Sequence, residues 1–265
     1  MNSGKNRYTQ IIETIFTDRY KKGTQEIKFN RDEFVRVAKK LNIEVPKNLG
    51  DILYTFRYRA ELPSSISKTA GRGKQWIIRP AGKGIYRFVQ VEQISVEPTK
   101  GLAKTKIPDS TPGIIEKYAL SDEQSLLAKI RYNRLIDIFT GLTCFSLQNH
   151  LRTSVPEIGQ LEIDELYVGI NKQGVHFVLP IQAKGGRDKL GIVQIEQDIA
   201  LCESRFPDLI CSPVAAQFMG EDVIALFQLE NTDEGVRVSS EKHYQLVSPD
   251  ELTEEEIRSY RNRFA

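Results

Sequence analysis

The 265-residue sequence contains few cysteines, few histidines and no long apolar run, and each shortage argues against a class of protein. Its three cysteines are scattered and odd in number, which predicts free, buried thiols in a reducing cytoplasm and not a disulfide scaffold. No CxxC pair or His/Cys cluster offers a zinc site, and the three dispersed histidines lack a catalytic partner at motif spacing, so we expect them to be non-catalytic. No stretch approaches about 18 apolar residues, so we expect no membrane span, and the polar N-terminus predicts no secretory signal.

The net charge of +2 conceals a difference between the two parts of the chain. Residues 1–105 hold 21 of the 37 Lys and Arg and 10 of the 35 Asp and Glu, which leaves 16 basic and 25 acidic residues for the remainder. The balance is therefore +11 in the first part and −9 in the second. A basic part joined to an acidic part indicates nucleic-acid contact by the basic one, although a merely lysine-rich surface would have the same balance.

Three helices followed by two short strands are predicted in the basic part. Apolar residues recur at helical spacing over about 7–20, 30–41 and 47–59. A Ser/Gly-rich loop then leads to strands at 74–80 and 84–91. This order is typical of a winged helix, in which a late helix enters the major groove of DNA and the hairpin touches the backbone or the minor groove. A small α+β domain whose arginines are merely solvated would have the same order.

Polar and basic side chains of the third helix and of the hairpin would meet DNA in a winged helix. The predicted DNA-binding residues are Lys47, Asn48, Arg57, Arg59, Arg72, Lys74, Arg79, Lys83 and Arg87. We therefore expect a DNA-binding domain at residues 1–105.

Proline, glycine and weak periodicity predict a linker at 106–117, followed by a second domain at 118–265. That domain begins with a helix capped by Ser121 and ended by Gly141. The elements predicted after it are strands at 144–152, 160–170 and 175–184, a helix at 190–204, strands at 213–219 and 222–230, and a helix at 250–264. The order α-β-β-β-α-β-β predicts an α/β fold with a mixed sheet flanked by helices.

Polar residues on two of these strands indicate a site. Side chains alternate across a strand, so Gln182 and Lys184 share one face of an otherwise apolar strand, and Glu162 and Asp164 share a face of the preceding one. If the strands pair through the turn at 171–174, Asp164 lies close to Gln182 and Lys184. A carboxylate and an amide oxygen are hard ligands suited to Mg²⁺, and a neighbouring lysine can orient water or stabilise phosphate charge. An exposed hairpin with a surface ion pair is the alternative.

With these residues in this order of elements, the second domain resembles the PD-(D/E)XK nuclease superfamily, the fold of many restriction enzymes, over about residues 121–230. The resemblance implies that Asp164 binds the metal and that Lys184 is the superfamily's lysine. Gln182 stands where a second acid is usual, as in the QXK variant of the Mrr-like restriction nucleases. The resemblance therefore implies that Asp164 and Gln182 hold Mg²⁺.

The resemblance also implies helpers around this centre. An additional acid often comes from the first helix of the superfamily, an acid beside the metal-binding aspartate can assist, and polar residues on the helix after the lysine can face the site. The corresponding residues are Glu123, Glu162, Glu165, Gln194 and Gln197.

These expectations describe a cytoplasmic, Mg²⁺-dependent endonuclease of the restriction type that binds double-stranded DNA. Cutting both strands favours a homodimer with one site for each strand. Two alternatives remain open at the level of sequence: a DNA-binding regulator that carries an inactive nuclease fold, and a nuclease for structured or repair-intermediate DNA.

Overall fold

A computed structural model describes residues 6–45, 47–92, 96–118, 122–155, 159–185, 190–220, 222–232 and 235–262, and at residues 58, 59, 122, 159 and 160 it describes the backbone alone. The predicted cap Ser121 lies outside these residues. Across the described ranges, no helix is long and apolar enough to cross a membrane.

The basic part folds around a three-stranded antiparallel sheet in the order β1-β3-β2. Its elements are α1 (Arg7–Thr17), β1 (Glu26–Asn30), α2 (Asp32–Lys40), α3 (Gly50–Tyr54) with a π-helical turn (Thr55–Arg59), α4 (Ser64–Ser67), β2 (Lys74–Pro80) and β3 (Ile85–Glu92). The three predicted helices and the hairpin are confirmed. Strand β1 and helix α4, which falls in the predicted Ser/Gly-rich loop, are additional elements.

An aromatic core holds this part together. Phe16 of α1 meets Trp76 and Phe88 edge-on, with ring centroids 5.1 Å and 5.2 Å apart. The indole N–H of Trp76 donates to the Thr69 hydroxyl at 2.9 Å, so the ring is buried without an unpaired donor. The apolar faces of α1 and α2 therefore pack on one face of the small sheet.

An eight-stranded mixed sheet forms the rest of the molecule, in the order β4-β11-β10-β9-β7-β6-β5, with the short β8 beside β7. The pairs β6–β7 and β5–β6 are antiparallel, whereas β7–β9 and β4–β11 are parallel. The strands are β4 (Lys104–Pro108), β5 (Thr143–Val155), β6 (Gly159–Ile170), β7 (His176–Lys184), β8 (Ile210–Cys211), β9 (Val214–Gly220), β10 (Val223–Thr232) and β11 (Gly235–Val247). The expected α/β fold with a large mixed sheet is confirmed.

Helices cover this sheet. They are α5 (Gly113–Tyr118), α6 (Asp122–Tyr132), α7 (Leu135–Thr140), α8 (Ile192–Arg205) and α9 (Glu254–Asn262), the last preceded by a 3-10 turn at Pro249–Glu251. Residues of α6 and α7 share an apolar cluster with Ile181 and Ala183 of β7, whereas Ile195 and Ile199 of α8 pack with Ala215 and Phe227. The central strands are therefore buried, which explains their nearly continuous apolar sequence.

Two predicted elements differ from the observed ones in the second part. The single helix predicted from Ser121 to Gly141 is broken, because Arg134 has a positive φ of 50° and the side chain of Asn133 donates to Asp109 and Thr111. The segment predicted as a linker at 106–117 contains regular structure. Strand β4 pairs with β11 there and helix α5 follows, so pairing with a distant strand decides the structure of a short polar stretch.

The start of the second helix, predicted at residue 30, also differs. Asn30 ends β1, and helix α2 starts at Asp32 without a side-chain cap. The Glu33 carboxylate nevertheless accepts the Asn30 backbone N–H at 2.9 Å, which is one half of a capping box.

The two parts of the molecule contact each other at α8. The Arg79 guanidinium of β2 donates through two nitrogens to the Glu196 carboxylate, with Nε 2.9 Å from Oε2. At the start of α8, a Cβ added to Gly191 would lie 3.6 Å from the carbonyl oxygen of Arg57. The helix that follows β7 is thus held against the basic part.

Candidate active site

The predicted site lies where strands β6 and β7 separate. The backbone pairing of the two strands ends at Glu165 and Ile181. The next hydrogen bond between them is made by the side chain of Asp164 and not by the backbone of β6. The Ala183 N–H donates to Oδ2 of Asp164 at 2.8 Å, in place of a backbone carbonyl. This bond fixes the Asp164 carboxylate beside the end of β7, between the positions of Gln182 and Lys184.

The side chain of Gln182 is buried, with 2% of the residue exposed. Its Nε2 donates to the Glu162 backbone oxygen at 3.2 Å and to Oδ2 of Asp198 at 2.9 Å. Gln182 therefore bridges β6 and α8 on the face of β7 opposite Ile181 and Ala183. The expected alternation of polar and apolar side chains along this strand is confirmed.

Asp198 of α8 is a member of the site that the sequence interpretation missed. It is 2% exposed and lies among the buried residues of the helix face that covers the sheet. The neighbouring Gln197 was predicted instead, and it is buried too. The sequence does contain a signal for Asp198, which is spaced three residues from Ile195 and Leu201 and four from Cys202. A charged residue in such an apolar helical stripe needs a buried partner.

Two neighbouring carboxyl groups dominate the electrostatics. Burial raises the pKa of Asp164, although the Ala183 N–H and the Lys184 ammonium both lower it. Burial also raises the pKa of Asp198 well above its ordinary value, against the bond from Gln182, and the Asp164 carboxyl adds to that rise. Negative charge at these two positions is therefore undercompensated by the surrounding groups.

Lys184 ends β7 and is half-buried. Its charge lowers the pKa of both Asp164 and Asp198, yet no carboxylate of a described residue lies within 4.0 Å of its Nζ. The residue opposite Lys184 in the neighbouring strand β9 is Gln217. The ammonium group is therefore near the acids without being locked into an ion pair with either.

The opposite side of the site is formed by Glu162 and β5. Oε1 of Glu162 accepts from Arg152 at 3.1 Å and lies 4.0 Å from Nδ1 of His150. His150 has a positive φ of 46°, contacts Gln124 at the start of α6, and lowers the pKa of Asp164 by its charge. No sequence motif points to His150, because this position depends on the bulged pairing of β5 with β6.

Two predicted helpers occupy different positions. Glu165 is fully buried and accepts from Arg131 at 2.9 Å and from the Ser146 hydroxyl at 2.6 Å, so it belongs to a separate polar cluster. Assistance to Asp164 by one of the two flanking acids, Glu162 or Glu165, stays a prediction. Glu123 is exposed on α6, next to Gln124, which reaches His150. The roles of Glu123 and of Gln194, which is half-buried, stay predictions.

The nine predicted DNA-binding residues divide by their contacts. Arg79 is paired with Glu196, and Nη1 of Arg87 donates to Glu26 at 2.9 Å, so these two are not free to bind phosphate in this structure. Asn48 is exposed, and its Oδ1 accepts the Gly50 N–H at 3.0 Å just before α3. Arg57 is half-buried, and the Arg59 side chain lies outside the described atoms. The exposed lysines and arginine are Lys47, Arg72, Lys74 and Lys83.

No three His, Cys, Asp or Glu side chains among the described residues lie close enough together to hold a metal ion by themselves. Comparison with protein-family models, with curated proteins and with solved structures finds no match to this chain. The function must therefore be inferred from the side chains and their geometry.

Proposed function

We propose that this protein is an endonuclease that hydrolyses phosphodiester bonds of double-stranded DNA with Mg²⁺. The observation that supports the proposal most is the convergence of Asp164, Gln182 and Lys184 where β6 and β7 separate. The Asp164 carboxylate is bonded to the backbone between the other two residues, and the lysine lacks a close carboxylate in the described part of the chain. Such a group of acid, amide and ammonium has little value as a purely structural contact.

The donor set fits Mg²⁺ better than a metal that needs a protein cage. Mg²⁺ keeps several waters and takes one or two carboxylates with substrate phosphate. Asp164 would hold it through the oxygen that does not accept from Ala183, together with the amide oxygen of Gln182. Bound there, the ion would supply Lewis-acid stabilisation of phosphate charge and a water of lowered pKa. Burial raises the pKa of Asp164 and of Asp198, so a bound cation would stabilise their ionised forms.

The residues of the chain then act by position and charge. The Lys184 ammonium donates to the attacking water or to a non-bridging phosphate oxygen, where charge accumulates in the transition state. Water oxygen bonds to phosphorus and releases a proton to solvent, the bond to the departing sugar oxygen breaks, and that oxygen takes up a proton from solvent. His150 and Glu162 lie at the exposed side of the site, where the DNA backbone would enter.

The basic part is proposed to be a winged-helix module that carries DNA to this site. The order α1-β1-α2-α3-α4-β2-β3, with β1 paired to β3, supports a helical DNA-binding face with a two-stranded wing. Lys74 and Lys83 are exposed on that wing. Because Arg79 and Arg87 are ion-paired, we propose that the lysines and Arg72 make the phosphate contacts.

The expected homodimer and the restriction role belong to the same proposal. One site cleaves one strand, so cutting a duplex at a fixed position requires two copies or two successive events. Light scattering of the protein on a short duplex would distinguish one copy from two. Mapping the ends of the products would separate a fixed short sequence, which restriction requires, from a fixed DNA structure, which a repair nuclease requires.

A non-catalytic DNA-binding regulator is the second candidate, and the glutamine at position 182 favours it, since one formal charge is missing from the site. The test is conversion of supercoiled plasmid to nicked or linear DNA in Mg²⁺ and in EDTA. We expect cleavage by the wild type in Mg²⁺ alone, loss of cleavage in Lys184→Ala, and full cleavage by the control Lys172→Ala, which changes an exposed lysine in the turn at the other end of β7. No product with the wild type would favour the regulator, whereas equal product with all three proteins would remove the catalytic assignment of Lys184.

A further inference from the structure

The side-chain amide of Gln182 is held in one orientation by two acceptors. An amide can turn over and exchange its oxygen for its nitrogen with little change of shape, so its neighbours decide which end points where. The group 3.2 Å from Nε2 is the Glu162 backbone oxygen, which can only accept. The second neighbour, 2.9 Å away, is the Asp198 carboxylate. Only the NH₂ end of the glutamine satisfies both.

Both N–H groups of Gln182 are consequently used on the buried side. Its Oε1 accepts no hydrogen bond from any residue that the structure describes. If the glutamine could turn over, it would present N–H groups to a cation and repel it. Whatever holds the NH₂ end therefore decides whether Gln182 can be an oxygen ligand.

We propose that Asp198 is a positioning residue that fixes the amide of Gln182, so that its oxygen is the atom offered to the bound cation. This inference rests on the proposed nuclease function and deepens it. Asp198 is itself held, because α8 packs on the sheet through Ile195 and Ile199 and is tied to the basic part by the Glu196–Arg79 pair. The position of the amide is thus set by Asp198 of α8 together with the Glu162 carbonyl of β6, and not by β7, the strand that carries Gln182.

An acid is usual at the position of Gln182 in such sites, but we expect an acid to be unfavourable there in this protein. Restoring the common acid by Gln182→Glu removes both N–H donors and places a carboxylate against the Asp198 carboxylate and the Glu162 carbonyl. Three acceptors without a donor, two of them negatively charged, are unfavourable in a buried position. Pairing Gln182→Glu with Asp198→Asn reverses the bond, because the asparagine amide donates to the introduced carboxylate and the total charge is unchanged.

The test compares the full-length wild type with Gln182→Glu, Asp198→Asn and the double variant. Single-turnover cleavage in Mg²⁺, the Mn²⁺ affinity from calorimetry and the thermal midpoint are measured for each. We expect Gln182→Glu to cleave at least about 100-fold more slowly and to bind Mn²⁺ more weakly, and the double variant to recover to within about tenfold of the wild type. Asp198→Asn keeps an acceptor oxygen and should stay within about tenfold.

The control is Gln228→Glu, which adds a carboxylate at a half-buried glutamine bonded to Ser212 outside the site and should leave cleavage unchanged. If Gln182→Glu cleaves as fast as the wild type, or if the double variant is no better than Gln182→Glu, the inference is overturned while the nuclease function stands. A wild type that neither cleaves DNA nor binds Mn²⁺ overturns the proposed function itself. If Gln182→Glu lowers the thermal midpoint and the double variant restores it without restoring cleavage, the bond is structural and the positioning role is refuted.

Discussion

At the scale of single residues, the site depends on side chains that replace backbone partners. Asp164 accepts the N–H of Ala183 where the ladder of β6 and β7 stops, and Gln182 donates to a carbonyl of β6. Alternation along a strand predicted that Gln182 and Lys184 share a face, and the turn at 171–174 predicted that Asp164 comes near them. The spacing of Asp198 within the apolar stripe of α8 indicated a buried acid, but Gln197 beside it is buried too, and only the packed fold shows that Asp198 is the one that meets Gln182.

Replacement of Asp164 by asparagine separates chemistry from folding. The asparagine oxygen can still accept the Ala183 N–H, so we expect the thermal midpoint of Asp164→Asn to change by only a few degrees. Without the carboxylate charge, cleavage should fall by about 100-fold or more. Thermal unfolding and single-turnover cleavage of the same preparation check both statements. A large loss of stability would show that the charge of Asp164 serves the fold.

At the scale of elements, the sequence predicted helices and strands well wherever the local spacing of apolar residues decides the structure. Strands β5, β6 and β7 alternate or are continuously apolar, and an Asn-to-Gly turn separates β6 from β7, so the bounds of the three strands were predicted to within a few residues. Strand β4 and the break between α6 and α7 were missed because distant partners cause them. The segment KTKIP forms a strand because it pairs with β11. Helix α6 ends before Asn133, whose side chain donates to Asp109 and Thr111.

The free energy of unfolding should depend on pH through Glu241 of β11. Its carboxylate is partly buried, which alone would raise its pKa, but bonds from Thr99, with both donor atoms at 2.7 Å, and from His243 hold the pKa below its ordinary value. A lowered pKa in the folded state adds stability above the unfolded-state pKa, and that stability is lost as the pH falls through the folded-state pKa. Urea unfolding should therefore show Glu241→Gln less stable than the wild type at pH 7 and the difference shrinking below about pH 4. A difference that is the same at both pH values would contradict this explanation.

At the scale of the whole molecule, the Arg79–Glu196 pair joins the basic part to the helix that carries Asp198. Both side chains are about one quarter to one third exposed, so we expect a coupling of roughly 1 kcal/mol. Urea unfolding of Arg79→Glu, Glu196→Arg and the double variant measures this energy as a double-mutant cycle. The double variant should be more stable than either single one. Strictly additive losses would show that the pair does not connect the two parts energetically.

Charge separation along the chain predicts how the whole molecule binds DNA. The basic part should supply the phosphate contacts, while the acidic part limits contact elsewhere. The affinity of the full chain for a duplex should fall with salt, and the combined variant Lys74→Ala/Lys83→Ala should lower the slope of log K against log salt by about two. Lys172→Ala, an exposed lysine outside the basic part, is the matched control and should leave the slope unchanged. An unchanged slope in the combined variant would place the DNA contact outside the wing.

The most direct measurement is single-turnover hydrolysis of an end-labelled duplex in Mg²⁺, with DNA binding of every protein measured in Ca²⁺. The wild type should produce defined fragments, whereas Asp164→Asn and Lys184→Met should bind the duplex within about twofold of the wild type and cleave it at least about 100-fold more slowly. Equal cleavage by the three proteins, or binding of DNA by the wild type without any cleavage, would contradict the assignment of a phosphodiester-hydrolysing site to Asp164, Gln182 and Lys184.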